Sequence, residues 1–124
     1  MIAADTSSFI AYFQGDGEPD ALAVKSAIAN NLICIPPVVA TELLSDPKAG
    51  GAIALLVADL PKLDLTEGYW ERAGQSRRLL LKRGFKARLG DALAAQACID
   101  NNVQLIARDR DFRHFAKHCG LVLA

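Results

Sequence analysis

The stretch that decides the fold is MIAADTSSFIAYF, residues 1–13. A short apolar run leads to Asp5, and apolar residues then recur at helical spacing, which predicts a strand followed directly by a helix. The stretch VQLIARDRDF, residues 103–112, has the same order, because an apolar run again leads to an aspartate before a helical pattern. Two strands that each lead into an acid predict a sheet edge lined by carboxylates.

The rest of the chain alternates short apolar segments with longer amphipathic ones. The pattern predicts strands at residues 1–4, 32–36, 62–66, 103–107 and 121–124. Helices are predicted at residues 6–14, 20–31, 37–46, 47–61, 67–84, 88–102 and 109–119. Nearly apolar strands alternating with helices are typical of a parallel sheet covered on both faces. The predicted class is therefore α/β, a three-layer α/β/α domain with four to five strands, and the 124 residues fit one domain over residues 1–124.

Composition narrows the setting in which the protein works. The three cysteines are an odd number, widely spaced and among apolar neighbours, which is typical of reduced core thiols in a cytoplasmic protein. No segment reaches the roughly 18 continuous apolar residues of a membrane span, so we expect no membrane insertion. Residues 1–61 carry two basic and seven acidic residues, and residues 62–124 carry twelve and seven. This asymmetry indicates a surface that faces a polyanion.

Four acids fall where a solvated carboxylate would not be needed. Asp5 and Asp109 follow strands, and ligands of open parallel sheets bind at the carboxyl ends of the strands. Glu42 has apolar neighbours on its helix, and Asp91 follows a glycine near a helix start. Two such charges about 4 Å apart repel by roughly 4 kcal/mol at an effective dielectric near 20, so convergence requires protons or a cation. All-carboxylate ligation favours Mg²⁺ or Mn²⁺, the usual apparatus of phosphodiester hydrolysis.

Four motifs carry a family resemblance over essentially the whole chain. They are IAADTSSFI with Asp5, PPVVATELL with Glu42, RLGDALAAQACIDNN with Asp91 and VQLIARDRDF with Asp109. In their order, spacing and secondary-structure context they resemble the PIN domain family, and most of all the toxins of VapBC-type toxin–antitoxin pairs.

The resemblance implies a fold, an activity and partners. The implied sheet is parallel with strand order 3-2-1-4-5, and the implied activity is a Mg²⁺- or Mn²⁺-dependent endoribonuclease acting on single-stranded or loop RNA. A cognate antitoxin and a homodimer are the implied protein partners. Carried over to this sequence, the metal-binding and catalytic acids are those of the four motifs: Asp5, Glu42, Asp91 and Asp109.

The resemblance also concerns the residues around the acids. A hydroxyl beside the first aspartate often contributes in the family, a role that Thr6 or Ser7 could fill. The family commonly has Thr or Ser two positions before the fourth acid, whereas this chain has Ala107. Asp111 is the alternative to Asp109 as the fourth acid, and it is otherwise interpreted as a charge at the start of the next helix.

The basic run RRLLLKRGFKAR, residues 77–88, has two interpretations. It is either a solvated helix face or a contact to the RNA backbone, where each neutralised phosphate adds salt-dependent affinity. Arg88 and Arg108 are the basic residues closest in sequence to the acids, so they are the predicted RNA contacts.

Two other functions remain open at this point. A receiver-type phospho-acceptor domain is also a small, acidic, Mg²⁺-binding α/β domain, but it would need paired acids after the first strand, where Asp5 stands alone. It would also need an aspartate ending the third strand, and Asp64 lies within that segment. The other alternative is a catalytically idle PIN scaffold that only binds a partner.

Overall fold

A parallel sheet of three strands lies at the centre of the structure, a computed structural model that describes residues 1–124. The strands are β1 (Ile2–Ala4), β2 (Ile33–Cys34) and β3 (Gln104–Ile106), in the order β2-β1-β3. In the register of the sheet, Ile2 pairs with both Ile33 and Gln104. The α/β class with a parallel sheet is confirmed.

The sheet has three regular strands, so the predicted number of four to five is not confirmed. The segment at residues 62–66 forms one parallel bridge, between Lys62 and Ile35, and the segment at residues 121–124 forms another, between Leu123 and Leu105. Each bridge has two backbone hydrogen bonds of 2.9 to 3.0 Å.

The chain beside each bridge explains why pairing stops there. Beyond Ile35, Pro36 and Pro37 have no N–H to donate, so β2 cannot continue beside the 62–66 segment. Beyond Ile106, the chain leaves the sheet at residues 107–109, so β3 offers no further partner to the 121–124 segment.

Seven helices were predicted, and seven are present. They are α1 (Thr6–Phe13), α2 (Pro19–Ala29), α3 (Pro37–Ser45), α4 (Gly51–Asp59), α5 (Tyr69–Lys82), α6 (Leu89–Asp100) and α7 (Phe112–Cys119). Helix α6 packs on α3, α5 and α7, and α1 packs on α2 and α3. No helix combines the length and the apolar composition that a membrane crossing requires.

Helix α6 shows how the sequence positions the acidic edge. Its residues from Ala94 to Cys98 are all buried, and four of these five are alanine or cysteine. Small side chains allow a helix to approach its neighbours closely, which is why an alanine-rich segment forms the central helix here. Helix α6 leads through a turn into β3, and its first turn carries Asp91. The chain therefore brings this acid to the same edge of the sheet as the strand exits.

Candidate active site

A cavity of about 430 Å³ opens at the carboxyl edge of the sheet. Eight of its nine lining residues are polar or charged: Asp5, Thr6, Ser7, Glu42, Arg88, Asp91, Arg108 and Asp109, with Ile10 as the ninth. The structure thus brings together all four predicted acids, both predicted hydroxyl residues and both predicted RNA contacts. Asp111 does not line this cavity.

Asp5 lies where β1 passes into α1. Its backbone N–H donates to the carbonyl of Ile106 at 2.9 Å, so the exits of β1 and β3 are tied together. The residue is only 6% exposed, and although it occupies the N-cap position of α1, its side chain makes no capping hydrogen bond. Helix capping therefore does not explain why an acid is buried here. The Ser7 hydroxyl lies 3.4 Å from Asp5 Oδ2, at the long end of hydrogen-bond distance.

Glu42 lies on α3 and reaches across to α1. The Thr6 hydroxyl donates to Glu42 Oε1 at 2.8 Å, which fixes the direction of the carboxylate. On the other side, Oε2 passes so close to Gly90 that a Cβ at that position would lie 3.3 Å away. The glycine that precedes Asp91 in sequence thus makes room for Glu42.

Asp91 lies in the first turn of α6 and is half-buried. Its Oδ2 is the one buried side-chain oxygen or nitrogen without a hydrogen-bond partner. Leaving such an oxygen unsatisfied costs roughly 1–3 kcal/mol, and more if it is charged. An atom that is kept unpaired at this cost, among other acids, is a candidate ligand for a cation.

Asp109 and Asp111 were the two candidates for the fourth acid, and they lie in different places. Asp109 lines the cavity, and its Oδ1 accepts the backbone N–H of Asp111 at 2.9 Å. Asp111 occupies the N-cap position of α7 but makes no side-chain capping bond. The geometry therefore favours Asp109 as the fourth acid of the site.

The electrostatics of the site penalise negative charge. The pKa of Asp5 is raised to about 7, mainly by burial and also by the charges of Asp91 and Glu42, while the backbone N–H of Thr6 opposes the rise. Burial also raises the pKa of Asp91 to about 6, together with the charge of Asp109. Near neutral pH, each of these two carboxyls is thus close to the point at which it takes up a proton.

The donor set fits a hard divalent cation. Carboxylate oxygens are preferred ligands of Mg²⁺ and Mn²⁺, and a cation would offset both the burial and the mutual repulsion that raise the pKa of Asp5 and Asp91. No three acidic side chains are arranged around one point so that they could hold an ion as they stand. Binding therefore requires the carboxylates to turn inward. Asp91 can turn without losing a hydrogen bond at Oδ2, because this oxygen has no partner.

The two predicted RNA contacts, Arg88 and Arg108, differ in whether they have partners within the chain. Arg88 is exposed at the start of α6 and has no hydrogen bond or ion pair within the chain, and its charge opposes the rise in the pKa of Asp91. Arg108 is fully engaged, because its guanidinium pairs with Asp16 and Asp20. Those two acids lie between 88 and 92 positions away in sequence, so no local pattern points to them.

The parallel sheet and its acid-lined edge define the class, an α/β domain with a four-carboxylate pocket. A family model described as PIN domain matches residues 2–118. The chain belongs to the PIN domain family.

Similar solved structures support the fold alone, because their sequences are distant. One is VapBC2 from Rickettsia felis bound to a DNA fragment from their promoter, with TM-score 0.72 and 18% identity, over 100% of this chain and 98% of that chain. Another is FitAcB from Neisseria gonorrhoeae, with TM-score 0.63 and 15% identity, over 100% of this chain and 97% of that chain. None of the curated proteins matches the sequence.

Proposed function

We propose that this protein is a Mg²⁺- or Mn²⁺-dependent endoribonuclease and the toxin component of a type II toxin–antitoxin pair, with one PIN domain over residues 1–124. PIN domains are typically nucleases and generally use divalent metal ions. The observation that carries the proposal is the convergence of Asp5, Glu42, Asp91 and Asp109 in one cavity. The unpaired Asp91 Oδ2 and the raised pKa of Asp5 and Asp91 support it.

In this proposal the four acids hold the cation, which supplies an activated water and stabilises the leaving oxygen. Asp5 is rigidly held because its backbone belongs to the sheet edge, and Thr6 directs the carboxylate of Glu42. Asp91 contributes the oxygen that has no other partner. Asp109 is oriented by the N–H of Asp111. None of the four acts as a covalent nucleophile.

The proposed substrate is RNA because the cavity opens beside a cation, Arg88, that has no partner within the chain. Arg88 is unpaired at the rim, and it ends the basic run at residues 77–88. A second cavity, of about 400 Å³, is lined by α5 residues of this run together with Leu89, the residue that follows Arg88. A phosphate backbone that crossed α5 toward the acids would therefore meet positive charge first.

The proposed protein partners are a cognate antitoxin and a second copy of the chain, in the cytoplasm. Both similar structures are named as two-component assemblies, VapBC2 and FitAcB. Helix α4 exposes an apolar surface, with Leu55 74% exposed and Val57 its one buried residue. Leu44 on the adjacent α3 is 54% exposed. Exposed apolar surface of this kind is typical of protein interfaces.

The direct test is expression of the wild type and Asp5→Ala, with growth and RNA cleavage measured in parallel. We expect the wild type to stop growth and to cleave RNA in Mg²⁺ but not in EDTA. Asp5→Ala should lose at least about a hundredfold in cleavage rate, as expected when a metal ligand is removed. Asp64→Ala, at an exposed acid that lines neither the acidic cavity nor the apolar surface of α4, is the matched control. Equal growth arrest and equal cleavage by the wild type and Asp5→Ala would refute the proposal.

The alternatives have less support. In the receiver-type alternative Asp64 would end the third strand, but Asp64 is exposed and does not line the acidic cavity. The idle scaffold retains Asp5 and Asp91 at an energetic cost that binding of a partner elsewhere does not explain. Failure of the wild type to cleave any RNA in Mg²⁺ or Mn²⁺ would favour it.

A further inference from the structure

Arg108 connects the exit of β3 to Asp16 in the loop between α1 and α2 and to Asp20 in the first turn of α2. Its Nε donates to Asp20 Oδ2 at 2.9 Å and its Nη2 to Asp20 Oδ1 at 2.8 Å, a two-pronged contact. Its Nη1 and Nη2 each lie 3.2 Å from Asp16 Oδ2. Planar pairing of this kind fixes the orientation of both partners, unlike a single-point ion pair.

The two acids are themselves held in place. Ser8, which is fully buried on α1, donates its hydroxyl to Asp20 Oδ2 at 2.9 Å. Asp16 Oδ1 accepts the backbone N–H of Glu18 at 2.7 Å. Hydrogen bonds from Arg108 hold the pKa of Asp20 below its ordinary value. The pKa of Asp16 is also lowered, mainly by the hydrogen bond from the backbone N–H of Glu18 and next by the one from Arg108. The guanidinium is therefore anchored to fixed, ionised partners.

The segment that Arg108 anchors carries a proposed metal ligand. Residues 107–109 have no regular structure, and Asp109 follows Arg108 directly. On one side the segment is tied to the sheet, where the Ile106 carbonyl accepts the N–H of Asp5. On the other side Asp109 accepts the N–H of Asp111. Arg108 supplies the side-chain tie between these two points.

The same contacts make Arg108 a poor phosphate ligand. One arginine with two ionised aspartates carries a net charge of −1, which repels a phosphate. The pair is partly exposed, with 40% of the arginine side chain accessible, so its contribution to stability is small. The planar contact of Arg108 with Asp20 therefore matters mainly because it fixes the position of the next residue, Asp109.

We propose that Arg108 is a positioning residue, which holds Asp109 toward the acidic cavity through Asp16 and Asp20, and that it does not contact RNA. The proposal rests on the function proposed above, in which Asp109 helps to hold the cation. It replaces the sequence-based interpretation of Arg108 as an RNA contact. Arg88 keeps that role, since its guanidinium has no partner within the chain.

The two interpretations predict opposite effects when an acid is neutralised. If Arg108 positions Asp109, Asp20→Asn loosens the same contact as Arg108→Gln and lowers activity in the same way. If Arg108 contacts phosphate, Asp20→Asn releases the guanidinium and strengthens RNA binding. Asparagine keeps an acceptor for the Ser8 hydroxyl, so the buried serine is not left unpaired. Asp16→Asn also weakens the contact with Arg108, and it leaves the hydrogen bond of Ser8 unchanged because Ser8 does not contact Asp16.

The experiment compares Arg108→Gln, Asp20→Asn, Asp16→Asn and the double variant Arg108→Gln/Asp20→Asn with the wild type. RNA cleavage in Mg²⁺ gives kcat and KM, and calorimetric titration with Mn²⁺ gives cation affinity without any need for turnover. Arg113→Gln is the control, at an exposed arginine on α7 with no ion pair. Thermal melts establish that each variant is folded.

We expect kcat and Mn²⁺ affinity to fall about ten- to a hundredfold in Arg108→Gln and Asp20→Asn, as for other groups that orient metal ligands. KM for RNA should stay within about twofold, and the double variant should be no worse than either single variant, because all remove one contact. The proposal is overturned if Asp20→Asn lowers KM while Arg108→Gln raises it, or if no variant changes kcat or Mn²⁺ affinity. If the wild type binds Mn²⁺ but cleaves no RNA, the proposed function fails, and the Mn²⁺ affinities alone decide whether Arg108 positions Asp109.

Discussion

The hydroxyl of Thr6 donates a hydrogen bond of 2.8 Å to Glu42 Oε1, across 36 positions of sequence. The bond joins the first turn of α1 to α3, so it links the residue after Asp5 to a second acid of the same cavity. A carboxylate on an exposed helix position has many orientations, and this bond selects the one that faces the cavity.

Thr6→Val removes this hydroxyl and keeps the shape of the side chain. We expect a loss of about ten- to a hundredfold in kcat for RNA cleavage, the usual effect of removing a group that orients a metal ligand. Thr6→Ser should retain most activity. Thr41→Val is the matched control, because the exposed Thr41 bonds only its own helix, at the Pro37 carbonyl. Full activity of Thr6→Val would show that Glu42 needs no such orientation.

Gly90→Ala tests the space beside Glu42. A Cβ at Gly90 would lie 3.3 Å from Glu42 Oε2, so the carboxylate must shift by a few tenths of an ångström. We expect a loss of about tenfold in activity with unchanged or slightly higher thermal stability, because alanine is the better helix former by roughly 1 kcal/mol. Gly74→Ala on α5 is the control, since a Cβ there meets nothing within 4 Å. A loss of activity in both variants would contradict this account.

The pH dependence of stability follows from the raised pKa of Asp5. Unfolding returns this pKa from about 7 to 3.8, so between these values the folded state binds more protons than the unfolded state. Without metal, the free energy of unfolding should therefore fall as pH rises from about 4 to 7, and Asp5 should account for roughly 2–4 kcal/mol of the fall.

Asp5→Asn isolates this contribution. At pH 8 without metal, the variant should be more stable than the wild type, because it does not ionise in a buried site, and near pH 4 the two should be equal. Millimolar Mg²⁺ should raise the melting temperature of the wild type at pH 8 and leave Asp5→Asn nearly unchanged. Equal pH profiles of the two proteins would be inconsistent with a raised pKa at Asp5.

Arg88→Gln tests the remaining predicted RNA contact. RNA affinity in EDTA, where cleavage is prevented, should fall by a similar factor for different RNA sequences. The slope of log affinity against log salt should become shallower by about one, as expected for the loss of one phosphate contact. Lys48→Gln, at an exposed lysine in the loop before α4, should change neither value. An unchanged salt slope in Arg88→Gln would remove Arg88 from the interface.

Much of the candidate site could be predicted from sequence because three of its four acids have a local signature, whereas Glu42, despite its apolar neighbours, is exposed. Asp5 and Asp109 follow apolar strands, and Asp91 lies in the first turn of an alanine-rich helix. These patterns concern a residue and its immediate neighbours, so one sequence suffices to find them. The helices were predictable for the same reason, because their periodicity is local.

What the sequence did not indicate concerns pairing between distant segments. The 62–66 and 121–124 segments have apolar residues suited to strands, but their extent depends on how long their neighbours in the sheet continue. Arg108 was predicted as an RNA contact because it precedes Asp109 in sequence, whereas its partners Asp16 and Asp20 lie 92 and 88 positions away, before and within the first turn of α2. Gly90 was noted beside Asp91, whereas the side chain that needs its space is Glu42.

The central claim is that Asp5, Glu42, Asp91 and Asp109 together hold a divalent cation. Its most direct test is calorimetric titration of the metal-free protein with Mn²⁺ at pH 6.5 and pH 8.5, on the wild type, Asp91→Asn and the control Asp59→Asn. We predict that the wild type and Asp59→Asn bind Mn²⁺ equally, with proton release at pH 6.5 that disappears at pH 8.5, and that Asp91→Asn binds at least about tenfold more weakly. Equal Mn²⁺ affinity of Asp91→Asn and the wild type, or no binding by the wild type at millimolar Mn²⁺, would contradict the claim.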